Sequence, residues 1–149
     1  MGAISLEEVL GSAGVAVVVS GVVSLLVARS TAKATVEAAQ VTAREERAKA
    51  ADEERRQCRA ALVRAVEGWH IAALEDADWS VRQENAGKAR GGLIEVATIL
   101  GRRVRTPEFE QLIESLAARN EDDLRRAADF WPPVQQAIVT VLSRLDSAV

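Results

Sequence analysis

VLGSAGVAVVVSGVVSLLVA, residues Val9 to Ala28, carries no charge over twenty positions in a chain of 149 residues that is 28% charged. Fourteen of the twenty are Val, Leu or Ala, and the rest are Gly or Ser. At about 1.5 Å per residue such a helix rises about 30 Å, the thickness of the hydrocarbon core of a bilayer. The stretch therefore predicts a transmembrane helix. A core helix of a water-soluble bundle would carry a polar face at helical spacing. Here the only polar side chains are Ser12, Ser20 and Ser24, whose hydroxyls can bond back to their own helix. A secretory signal needs a basic segment before a shorter apolar run, and residues 1–8 (MGAISLEE) hold two acids and no base. The N-myristoylation pattern requires Ser or Thr at the sixth position, where this chain has Leu6.

Working outward, all nineteen Lys and Arg follow the run, with Arg29, Lys33, Arg44 and Arg47 close behind it. Basic residues beside a span are retained on the cytoplasmic side. The expected topology is a short extracytoplasmic tail (1–8), the span (9–28), and a cytoplasmic remainder at the inner (plasma) membrane. A single cysteine, Cys58, excludes an intramolecular disulfide framework. With twenty acids against nineteen bases after Ala28, the remainder is close to neutral, which argues against a general polyanion ligand.

Between Val22 and Glu67 there is neither Gly nor Pro, and Ala, Glu, Arg and Gln dominate. These residues favour helix, so the span should continue into a charged helical stalk over 29–60. Acids and bases three or four apart, such as Glu45 with Lys49 and Asp52 with Arg56, support an exposed helix by a few tenths of a kcal/mol per pair. A coiled-coil seam could run through Ala32, Val36, Ala39 and Ala43, although alanine buries little. Cys58, among Arg55, Arg56 and Arg59, is read as part of this solvated stalk.

From residue 61 the pattern turns amphipathic. Leu62, Val63, Val66, Trp69 and Leu74 suggest one apolar stripe. A second helix is expected from Val81 to Leu100, weakened by Gly87, Gly91 and Gly92 and stopped by Gly101. The third has the clearest start, with Thr106 as cap, Pro107 in the first position and Glu108 and Glu110 in the first turn. Asn120 followed by Glu121, Asp122 and Asp123 repeats that logic, and Pro132 with Pro133 should then break the chain before a last helix to Leu145. No segment alternates as a strand. The fold class is all-α: a single N-terminal transmembrane helix, a stalk and a small helical bundle over 61–149.

Few residues carry a chemical signal. Glu67 and His70 make one Glu-x-x-His on one helix face, a weak metal candidate because carboxylate-bridged sites need a second copy and further carboxylates. No nucleophile-elbow sequence accompanies His70, the only histidine. The chain is therefore read as a non-enzyme with no cofactor. Arg102, Arg103 and Arg105, with Arg29 and Lys33 nearer the span, are candidates for anionic lipid contact; nucleic acid is disfavoured for want of a stacking platform. Trp69, Trp79 and Trp131 are core anchors or interface aromatics. Within the span, Ser12, Ala16, Ser20, Ser24 and Ala28 place a small residue at every fourth position, a face through which membrane helices associate, here into a homo-oligomer. With no charge inside the span, a pump or transporter is excluded. The expected role is a membrane-anchored interaction or scaffold protein with a cytoplasmic protein partner. A small pore-forming protein of the lysis type is the alternative, and a metal-dependent enzyme using His70 a more remote one. The richness in Ala, Arg and Val is of the kind found in GC-rich bacterial or phage genomes.

Overall fold

The computed structural model describes the backbone of residues 6–148 and the side chains of residues 18–148. Those residues form four α-helices, α1 (Leu6–Ala72), α2 (Trp79–Leu100), α3 (Pro107–Ser115) and α4 (Glu121–Ser147), with a single 3₁₀ turn at Gly101–Arg103. No strand occurs among the described residues, so the fold is all-α. The chain divides into two units, residues 1–49 and 50–149, and α1 contributes to both.

In the first unit the described side chains of α1 are exposed, except for a half-buried Ala43. Every described side chain from Val18 to Ala28 is exposed, and the large apolar ones from Val18 to Val27 leave 51% to 67% of their surface uncovered. Among the described residues no helix is long and apolar enough to cross a membrane. Only Val18 to Ala28 of the expected span fall among described side chains; Val9 to Val17, with Ser12 and Ala16 of the small-residue face, and the tail over 1–8 lie wholly or partly outside them.

The second unit is a helical bundle whose core begins earlier than expected. Cys58 is fully buried, so this part of α1 belongs to the bundle and not to a solvated stalk. The stripe α1 buries is Cys58, Ala61, Ala65, Trp69 and Ala72, with Leu62 and Val66 half-buried, whereas Val63 and Leu74 are exposed. The reason is helix approach. A Cβ on Gly68 would come within 2.8 Å of the Asn85 carbonyl oxygen, and one on Gly92 within 2.8 Å of the Ala61 carbonyl oxygen. Alanines and glycines thus let the backbones of α1 and α2 touch, and the larger side chains are displaced to the flanks.

Alpha2 starts two residues before the expected Val81 and ends where Gly101 takes φ 67°, a left-handed conformation that side chains resist, with its N–H donating to the Ala97 carbonyl. Both N-terminal caps form: Thr106 Oγ1 accepts from the Phe109 N–H at 3.2 Å, and Asn120 Oδ1 accepts from the Asp123 N–H at 3.0 Å. The expected break at Pro132 and Pro133 does not occur, and α4 runs through both. The prolines, with Ala128 and Asp129 whose carbonyls they leave unbonded, lie on the exposed side where water can serve them. On the other side Leu124, Ala127, Trp131, Val134, Ile138 and Leu142 make one unbroken buried stripe. Burial of that stripe outweighs a local penalty of about 3 kcal/mol for an interior proline.

Candidate functional site

The described residues offer three places where function could reside: the bare belt of α1, a groove at one end of the bundle, and the helix face bearing His70. In the belt, Val18, Val19, Val22, Val23, Leu25, Leu26 and Val27 spread over somewhat more than half of the helix circumference at about 100° per residue, and no charged side chain stands on any side of it. Ser20, Ser24 and Ala28 share one exposed face within it. Beyond it, Arg29 and Lys33 are exposed; Lys33 Nζ lies 3.9 Å from Glu37, and Thr31 and Thr35 bond back to the helix carbonyls of Val27 and Thr31. Ala32, Val36 and Ala39 are also exposed, but Val41 stands exposed on the opposite side, so the stalk has no single apolar stripe.

The groove, about 340 Å³, lies between α1, the C-terminal end of α2 with its 3₁₀ turn, and the C-terminal end of α4. Ala51, Ile99, Leu100 and Leu145 form its apolar surface, and Glu54, Arg55 and Arg103 its charged margin. Arg55 is committed within the fold, donating from Nη1 to the Leu145 carbonyl at 3.2 Å and from Nη2 to Asp52. That bond and the guanidinium charge hold the Asp52 carboxyl below its ordinary value. Arg59 pairs with Asp146 at 2.5 Å beside it. Arg102, Arg103 and Arg105 are exposed and make no ion pair among the described residues. They follow the end of α2, whose negative dipole end favours such cations.

Glu67 and His70 are exposed on α1, and no group of three or more His, Cys, Asp or Glu able to hold a metal occurs among the described residues. The cluster of arginines around Cys58 in sequence does not activate it. Burial pushes its thiol above the ordinary value, outweighing the nearby Arg59 charge.

The three tryptophans separate. Trp69 and Trp131 are buried and stack on each other, centroids 5.2 Å apart and planes 16° from parallel, so these two tie α1 to α4 and present no surface to a partner. Trp79 is half-buried beneath Arg82, whose guanidinium carbon lies 6.0 Å from its ring centre. Arg82 itself carries no signal in the local sequence. It is buried; its Nε donates to the Ala72 carbonyl at 2.9 Å and its Nη1 pairs with Glu121 at 2.5 Å, closing the end of α1 against the start of α4. Nothing in local pattern separates Arg82 from the exposed arginines, because its partners lie 10 and 39 residues away. Comparison of the chain with known protein families, with curated proteins and with solved structures finds no match.

Proposed function

We propose that the chain is a single-pass membrane-anchored interaction protein, in which the apolar run Val9 to Ala28 is held in lipid and the helical bundle is presented to a protein partner at the cytoplasmic face of the inner membrane. The observation that carries this reading is the uncovered belt of valine and leucine from Val18 to Val27. Removing one such side chain from water is worth about 1.5–3 kcal/mol, so seven of them in water would cost on the order of 10 kcal/mol. Lipid covers a helix on all sides at once, which suits a belt that carries no charge on any side. The charge-free stretch preceding Val18 extends the belt to the length a bilayer needs. Arg29 and Lys33 would meet anionic headgroups, and their position favours an outside N-terminus. The face containing Ser20, Ser24 and Ala28 would allow the spans of several copies to associate.

The test is extraction of the full chain from native membranes. It should resist alkaline carbonate and yield only to detergent, and replacing Val18, Val22 and Leu25 by Glu should release it. Full-length protein recovered as a soluble monomer without detergent would overturn the anchor. Crosslinking from intact membranes should then recover a cytoplasmic protein bound to the bundle.

A further inference from the structure

We infer that the groove at the α2 and α4 C-terminal ends is the bundle's docking site, and that its occupant is a protein segment pairing large apolar side chains with acidic ones. This rests on the interaction-protein reading and names the surface and the partner's chemistry.

The floor is apolar without being closed: Ile99, Leu100 and Leu145 are only half-buried, and Ala51 is exposed. A pocket of about 340 Å³ accommodates one or two large side chains. Arg103 lines it, exposed and free of ion pairs among the described residues, and Arg102 and Arg105, also exposed and unpaired there, flank Arg103 in the chain. An unpaired guanidinium beside a half-covered apolar pocket is what a partner anchor needs, since arginine and large apolar side chains carry much of the energy at protein interfaces. Charge complementarity asks for carboxylates on the partner.

A protein segment is favoured over an anionic membrane by the signs around the groove. Glu54 lines the same wall, and Asp52 and Asp146 sit within the adjoining surface, paired with Arg55 and Arg59. A uniformly anionic lipid surface would be repelled by Glu54, which has no ion pair among the described residues, whereas a polypeptide can set an acid against Arg103 and a donor against Glu54. Two larger clefts do not offer this combination. The one beside Arg90 and Phe130 keeps only Arg119 unpaired, with Arg90 bonded to the Ile113 carbonyl and Arg126 paired with Asp123, and Glu110 and Glu114 on the same lining set acids against an acidic segment; the one between α1 and α2 is lined by Gly91 and Gly92 and by the paired Arg64 and Glu95.

The experiment pans a random peptide display library against the full chain in nanodiscs of zwitterionic lipid. Selected peptides should combine acidic with large apolar residues. Their affinity should fall about tenfold or more on Arg103→Glu and on Leu145→Ser. It should be unchanged on Arg126→Glu, which lies on α4 beside another cleft. Hydrogen exchange on each variant reports whether the bundle is folded; if Leu145→Ser loosens it, the Arg103→Glu result alone decides. Peptides without acidic residues, or peptides that bind Arg103→Glu as well as the parent, overturn the inference. So does Arg103-dependent binding to phosphatidylglycerol vesicles that the selected peptides cannot displace, which would assign the groove to lipid. Carbonate extraction is independent of all these outcomes, so failure of the docking site is distinguishable from failure of the anchor.

Discussion

At the scale of single residues, Cys58 and Arg82 show how far burial departs from sequence neighbourhood. Cys58 is flanked by arginines in the chain, which would favour a reactive thiolate, yet it is fully buried and its thiol is pushed up by desolvation. The native protein should therefore react with Ellman's reagent only as fast as the bundle opens, and addition of urea should accelerate the reaction steeply. The sign of the pH effect follows. With the folded value above the ordinary one of 9.0, this group leaves stability unchanged below pH 9 and lowers it as pH rises further, because only the unfolded chain then loses the proton. Urea titrations of the parent and of Cys58→Ala should share their pH dependence below pH 9 and diverge above it; parallel curves throughout would contradict the burial. For Arg82 the partners are the Ala72 carbonyl and Glu121, in two directions that only a forked guanidinium reaches. Arg82→Ala should lower the bundle's unfolding free energy by about 2 kcal/mol, and Arg82→Lys should recover less than half of that in the same urea titration.

At the scale of helices, what could be read from sequence was what local geometry decides. The caps at Thr106 and Asn120 and the stop at Gly101 depend on residues within a turn of one another, and all three form where their pattern places them. The misread features depend on the other helix. Val63 and Leu74 looked like part of the core face of α1, but both are exposed, and the contact with α2 is made through alanine and glycine, which carry little hydropathy. The double proline was read as a break because the sequence alone cannot show that its exposed side is the affordable one. The groove was hidden for the same reason: Ala51, Leu100 and Leu145 come from three helices, and only Arg102, Arg103 and Arg105 stood out by charge. The glycines of α2 give an opposed pair of expectations. A methyl on Gly92, or on its neighbour Gly68 in α1, meets backbone at 2.8 Å, while at Gly87 and Gly91 it meets nothing within 4 Å. Gly68→Ala and Gly92→Ala should each destabilise by about 1–3 kcal/mol through forced separation of α1 and α2. Gly87→Ala and Gly91→Ala should each stabilise by about 0.5–1 kcal/mol through helix propensity. Thermal unfolding followed by circular dichroism separates the two signs.

At the scale of the molecule, the remaining question is how copies of the chain relate in the bilayer proposed for them. Lipid covers apolar side chains as well as another helix does, so association there depends on close backbone approach and not on hydropathy. The exposed face through Ser20, Ser24 and Ala28 permits that approach, whereas the side bearing Val22 is branched and bulky. Bulk added to the two faces should therefore act differently. In a membrane two-hybrid assay of the full chain, the double change Ser20→Leu and Ser24→Leu should reduce the self-association signal severalfold, while Val22→Leu on the opposite side should leave it intact. Both variants must insert to the same extent, because each replacement keeps or raises the apolar character of the span. Equal signals from the two would detach the small-residue face from assembly, and would leave the bundle as the part of the chain through which copies or partners meet.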